Sequence, residues 1–182
     1  YYFIHPFDGP LTLQGSATLG LEIVEYLKSI NTKIDNLLIS VGGGGLISGV
    51  SSYVKQFYPK IKIIGVEPEN AKGLSQSFKA NKPLNNIKVN SIADSLSAPL
   101  HMQYSFDVAK EVIDEMVTVS DDQMKKFMVF CYKKFKLFLE PACVAGLAAL
   151  KYKSNNKLIG KNTMVILCGS NIDKKTWSDL TN

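Results

Sequence analysis

Asn36-Leu-Leu-Ile-Ser-Val41, then Gly42-Gly-Gly-Gly45, then Leu46-Ile-Ser-Gly-Val-Ser-Ser-Tyr-Val-Lys-Gln-Phe57 is the stretch that decides the fold. The first six residues form a short apolar run and predict a buried strand, and the last twelve carry apolar residues at helical spacing and predict a helix. The four glycines therefore sit at a strand-to-helix turn. Without side chains, an anion can reach the backbone N–H groups, and several of these positions are expected to need φ > 0. The helix N-terminus adds roughly half a positive charge at the same point. The loop lacks the Lys-Ser/Thr ending of a nucleoside-triphosphate loop, and its spacing does not fit G-x-G-x-x-G. The predicted ligand is a single phosphate monoester, and the competing reading is a tightly packed glycine turn that binds nothing.

Outward from this core the pattern repeats. Gly15 to Ile30 predicts a helix that stops at Asn31, and Lys62-Ile-Ile-Gly-Val66 predicts a strand after Pro59 ends the 46–57 helix. Residues 68–104, rich in Pro, Asn, Lys and Ser, read as loops with one short helix near 74–80. Met116-Val-Thr-Val119 resumes the sheet, and Ser120 is a candidate N-cap for a helix opening at Asp121-Asp122. Glu140-Pro-Ala142 begins a further helix whose small residues permit close packing, and Tyr1–Ile4 is a strand candidate. Thr163-Met-Val-Ile-Leu-Cys-Gly-Ser-Asn-Ile172 reads as a last strand running into Cys168-Gly-Ser-Asn171. Strand-helix-strand crossovers of this kind define an α/β fold: three layers, a mostly parallel twisted sheet with helices on both faces. Ligands of such sheets bind at the carboxyl ends of the strands, which puts Cys168 on the same edge as the glycine loop. Cys168 is a candidate contact there, with a small buried hydrophobe as the alternative.

Composition narrows the function. The 182 residues are 46% hydrophobic, enough for one domain with a real core. No apolar stretch approaches the roughly 18 residues of a membrane span, and the opening residues lack a signal-peptide pattern, so the expected setting is the cytoplasm with no membrane partner. Cys131, Cys143 and Cys168 are odd in number and lack metal-ligand spacing, which fits reduced thiols. All 21 basic residues are lysines, dispersed along the chain, so the net charge of +5 does not amount to a nucleic-acid surface.

Taken in order, His5-Pro-Phe-Asp8, Gly15 through Glu22, Gly42 to Leu46, Gly65-Val-Glu-Pro-Glu-Asn-Ala71, Ile92-Ala-Asp-Ser-Leu96, Val119-Ser-Asp-Asp122, Glu140-Pro-Ala142 and Cys168-Gly-Ser-Asn171 resemble the serine/threonine dehydratases (threonine ammonia-lyases). These are pyridoxal-phosphate enzymes of fold type II, the tryptophan-synthase-β-like fold. The resemblance implies that pyridoxal 5'-phosphate (PLP) is the cofactor, that Gly42, Gly43, Gly44, Gly45 and Leu46 hold its phosphate through backbone amides, and that Cys168 faces the pyridine nitrogen. It implies β-elimination on L-threonine or L-serine, giving 2-oxobutyrate or pyruvate and ammonia. A neutral thiol beside the ring nitrogen makes a weaker electron sink than a carboxylate would, which suits elimination. The resemblance also implies a homo-oligomer, a dimer in most relatives, acting on a small amino-acid substrate.

The family's Schiff-base lysine lies in an N-terminal segment that none of the present lysines matches. The expectation is that residues 1–182 form one domain, the C-terminal part of the catalytic fold with no regulatory domain, and that no catalytic residue of that kind is present and the chain alone is inactive. On the same scaffold, a serine racemase or 3-hydroxyaspartate dehydratase is the alternative, and a non-catalytic phosphate-binding remnant is the alternative of another class. Some relatives bind a divalent cation at positions that fall here on Glu67, Ala71 and Gly73. Gly73 offers no carboxylate, so no metal is expected, and Glu67 is read as an exposed acid at a strand end. His5 is read as structural, Asp94 and Glu140 as possible cavity walls, and the aromatic residues of 127–138 as core.

Overall fold

The computed structural model describes residues 1, 3–153, 158 and 161–181. Among these, four strands form one sheet: β1 (Asn36–Ser40), β2 (Lys62–Pro68), β3 (Glu115–Val119) and β4 (Thr163–Val165). Their order is β3-β2-β1-β4, and every neighbouring pair is parallel. The helices are α1 (Pro10–Ser29), α2 (Gly45–Phe57), α3 (Gly73–Ala80), α4 (Gln103–Val112), α5 (Asp121–Phe135), α6 (Pro141–Tyr152) and α7 (Lys174–Thr181), with a 3₁₀ turn at Asp94–Leu96.

All five residues of β1 are buried, which is why its sequence is nearly continuous in apolar residues. The pleat sends Leu37 and Ile39 to one face, where they pack with Val24, Leu27, Ile47, Val50, Leu74 and Phe106 of α1 to α4. It sends Leu38 to the other, against Met124, Met128, Val144 and Ala148 of α5 and α6. The fold is thus the expected three-layer α/β arrangement. Small residues set the layer spacing: a Cβ on Gly146 would overlap Val165, and one on Gly20 would stand 2.7 Å from the Val50 carbonyl oxygen.

The expected elements at 15–30, 36–41, 46–57, 62–66, 74–80 and 116–119 all appear, with ends shifted by a few residues. Ser120 caps α5 as read, its hydroxyl accepting from the Gln123 N–H while the Gln123 side chain accepts from the Ser120 N–H. Three expectations are corrected. Tyr1, Phe3 and Ile4 are in no strand and are exposed. The last strand is only Thr163–Val165, because the chain leaves the sheet toward Gly169 at φ 119. Phe130, Tyr132 and Phe135 are exposed on α5 rather than core, since the buried stripe of that helix is Met124, Met128 and Cys131.

Candidate active site

After β1 the chain builds β2 and β3 to one side, and then crosses the sheet to lay β4 on the other side of β1. This makes the β1–β4 boundary a topological switch point, where a crevice opens at the carboxyl ends of the strands. A cavity of about 320 Å³ lies there. Gly42, Gly43, Gly44, Gly45, Leu46 and Cys168 all line it. The loop after β1 and the segment after β4 therefore meet at one site, as their positions on the sheet edge require.

Among the described residues, no backbone or side-chain group accepts from the N–H groups of Gly42 through Leu46. The first turn of α2 has no intrahelical acceptor for them, and its N-cap, Gly44, sits in the left-handed region at φ 95. Glycine at Gly43 is demanded from the other side as well: a Cβ there would overlap the Phe7 ring. The Ser40 hydroxyl, at the end of β1, is buried on the cavity wall without a protein partner. A run of free amides, a helix N-terminus and an unpartnered buried hydroxyl fit a phosphate monoester.

The opposite wall is acidic and sulfur-bearing. Glu140, immediately before α6, is buried, and its Oε2 lies 3.4 Å from the Ser95 hydroxyl. Burial, followed by the nearby Asp94 charge, pushes its carboxyl above the usual range. Gly169 leaves room for that carboxyl, because any Cβ at 169 would overlap it. Burial and then the Glu140 charge raise the Cys168 thiol, and burial pushes the neighbouring Cys143 up to about 12. Cys168 therefore stays a protonated thiol near neutral pH. At pH 7.5, iodoacetamide is expected to label Cys168 far more slowly than a free thiol. Peptide mass mapping reads this, and labelling at the rate of a free thiol contradicts the protonated state.

Of the residues weighed from sequence, Glu140 lines the cavity, whereas Asp94 faces a neighbouring depression with Asn171 and Asp173. His5 is structural in its contacts: its Nδ1 accepts from the Phe7 N–H at 3.3 Å and its ring packs edge-on against Phe7. Glu67 corrects the expectation of an exposed acid. It is 0% exposed, because α3 folds back over the end of β2 and places its first amides on the carboxylate. Gly73 carries no carboxylate, and His101 fills the space beside it. Sequence reasoning did not single out Phe7, Ser40 or Ser95 as cavity walls, nor His101. For Phe7 the one signal was its place in His5-Pro-Phe-Asp8, and for His101, in a loop-rich stretch, there was none.

A doubly wound parallel α/β domain with a phosphate-sized glycine cradle at its switch point defines the class. The chain belongs to the pyridoxal-phosphate dependent enzyme family, which matches residues 1–169. The resemblance read from the sequence thus holds, and PLP is the cofactor of that family. The phenylserine dehydratase of Ralstonia pickettii is 41% identical over 177 residues, covering 97% of this chain and 53% of that protein. The processed form of threonine deaminase isoform 2 from Solanum lycopersicum superposes with a TM-score of 0.90 at 34% identity, covering 98% of this chain and 51% of that one. Maize serine racemase gives a TM-score of 0.85 at 31% identity, over 97% and 54%. The chain spans about half the length of the curated relatives it matches.

Proposed function

We propose that residues 1–182 supply the cofactor-phosphate half of a PLP-dependent ammonia-lyase that converts L-threonine or L-serine to 2-oxobutyrate or pyruvate and ammonia by β-elimination. The observation that supports this most is the meeting of the free glycine amides and Cys168 in one cavity at the switch point. The relatives named as a phenylserine dehydratase and a threonine deaminase point to 3-hydroxy amino acids as substrates.

When bound, PLP supplies the electron-withdrawing ring that makes the substrate α-proton acidic. The residues of this chain bind and orient it. The N–H groups of Gly42 to Leu46 and the N-terminus of α2 hold the phosphate dianion. Cys168, which lines the cavity and keeps its proton on Sγ, would present a neutral group to the ring nitrogen. The raised carboxyl of Glu140 can hold a proton at the same wall. Phe7, Ile47 and Leu96 make part of the cavity wall apolar. Among the described residues no lysine lines the cavity. Three free cysteines fit a reducing, cytoplasmic setting, and the exposed aromatics of α5 fit a homodimer. Among the described residues no helix is long and apolar enough to cross a membrane.

The test is a 2-oxo acid assay on the natural gene product carrying residues 1–182, with PLP and L-threonine, L-serine or phenylserine. Equal amounts of 2-oxo acid and ammonia are expected, and D-serine formed from L-serine without pyruvate replaces this reading by the racemase one, which the maize structure favours. The isolated 182-residue chain is expected to give no product above the background of free PLP.

A further inference from the structure

We propose that His101 is a positioning residue of the glycine cradle: its imidazole holds the Gly42 carbonyl and thereby aims the Gly43 N–H at the cofactor phosphate. This rests on the phosphate reading above. His101 Nε2 lies 3.1 Å from the Gly42 carbonyl oxygen, and Nδ1 lies 3.2 Å from the Ser77 hydroxyl oxygen. A carbonyl oxygen only accepts, so Nε2 carries the hydrogen. In the neutral ring Nδ1 is then the acceptor, and it takes the Ser77 O–H. Ser77 Oγ accepts in turn from the Leu84 N–H at 3.2 Å. Every polar atom of this relay is satisfied with the ring neutral, and that form is also the one burial favours.

The lever is the peptide plane. A trans peptide is rigid and planar, so the C=O of Gly42 and the N–H of Gly43 point in opposite directions and turn together. No cis peptide occurs among the described residues. The Gly42 carbonyl takes no backbone N–H from the described residues, so the imidazole is the group that sets this plane. Two adjacent glycines would otherwise leave it loose, at an entropic cost to any ligand that needs it fixed. The seat of the ring is itself built in: a Cβ on Gly73 would stand 2.8 Å from His101 Cε1, and the His101 N–H donates to the Leu84 carbonyl at 2.8 Å. Ser77 sits on α3, whose first amides are held by Glu67 at the end of β2. The cradle is thereby referred to two strands, β1 directly and β2 through α3 and His101.

The test compares dissociation constants for PLP and for pyridoxal, which lacks the phosphate, using cofactor absorbance on the full chain. The wild type is expected to prefer PLP. His101→Leu should weaken PLP binding about five- to tenfold and leave pyridoxal unchanged. His101→Gln, whose amide N–H reaches where Nε2 does, should stay within about twofold of wild type, and Ser77→Ala should lose about two- to threefold. If His101→Leu does not fold, the Gln and Ser77→Ala variants carry the comparison. Folded Leu and Ala variants that keep wild-type PLP affinity overturn the proposal, as does an equal loss for PLP and pyridoxal. A wild type with no preference for PLP over pyridoxal refutes the phosphate reading, and the role of His101 with it.

Discussion

Gly43→Ala is expected to weaken PLP binding by about 100-fold or more, the equivalent of roughly 3 kcal/mol. Two effects combine. The new methyl would overlap the Phe7 ring, which must move, and Phe7 is itself a wall of the cavity. Displacing the ring or the loop also turns the Gly43 amide, one of a set of donors that works only if all converge on one anion. Overpacking of this kind costs about 1–3 kcal/mol of stability, so some loss of melting temperature accompanies the change. Phe7→Ala in the same background removes the overlap, and it should restore stability before it restores affinity. Isothermal titration with PLP, alongside thermal melts of the three proteins, checks this. A Gly43→Ala protein that binds PLP as the wild type does would show that the cradle lies elsewhere.

Glu67→Ala is expected to destabilise the fold by about 3 kcal/mol, because it strips two amides of their acceptor. Glu67 accepts from the Leu74 N–H at 2.7 Å and the Ser75 N–H at 3.2 Å, and it also bonds the Ser75 hydroxyl. Glu67→Gln keeps one acceptor oxygen and turns an N–H₂ toward the donors on the other side, so it should cost less than Glu67→Ala without matching the wild type. Its use is to remove the titrating group while retaining part of the hydrogen bonding. Burial raises the Glu67 pKa above its ordinary 4.5, and the three hydrogen bonds oppose this without cancelling it. The folded state therefore holds this proton more tightly than the unfolded chain does. Stability from this group is fully present below about pH 4.5 and declines as pH rises toward the folded value, since the unfolded chain ionises first. In Glu67→Gln that decline is absent. Urea melts between pH 4 and 7 read the difference, and a parallel decline in both proteins assigns it to another group.

The same residues explain what the sequence did and did not disclose. β1, the glycine turn and α2 were legible because a doubly buried strand is continuously apolar, and because the glycine run marks a backbone closely approached by other segments, Ser95 and Leu96 at Gly42 and Phe7 at Gly43 and Gly45. α5 was legible because its cap is local, Ser120 with Gln123. α4 was not, because its own N-cap position is Met102, which cannot cap. Its amide at Ser105 is instead taken by Asp8 at 2.7 Å, from 97 positions earlier in the chain. α3, which was read near 74–80, also takes its acceptor from outside, with Lys72 at its N-cap position and Glu67 supplying the carboxylate. That is why Glu67 read as an exposed acid: its partners are backbone amides, which leave no mark in a sequence. α7 was missed although Asp173 and Thr176 form a local cap, since it is only eight residues long and sets just two large apolar side chains, Trp177 and Leu180, against the core.

The site divides in the same way. The glycine run and Cys168 could be placed on one sheet edge because each follows a strand at its carboxyl end. Phe7 reaches the glycines from the start of the chain, and His101 reaches Gly42 from the loop before α4, so both are visible only once the sheet has brought the segments together.

A crystal structure of the protein with PLP tests the central claim most directly. The phosphate oxygens are expected within about 2.7–3.2 Å of the backbone nitrogens of Gly42 to Leu46, with the ring lying toward Cys168. A phosphate bound away from these amides, or a ring turned from Cys168 with the glycine loop untouched, contradicts it.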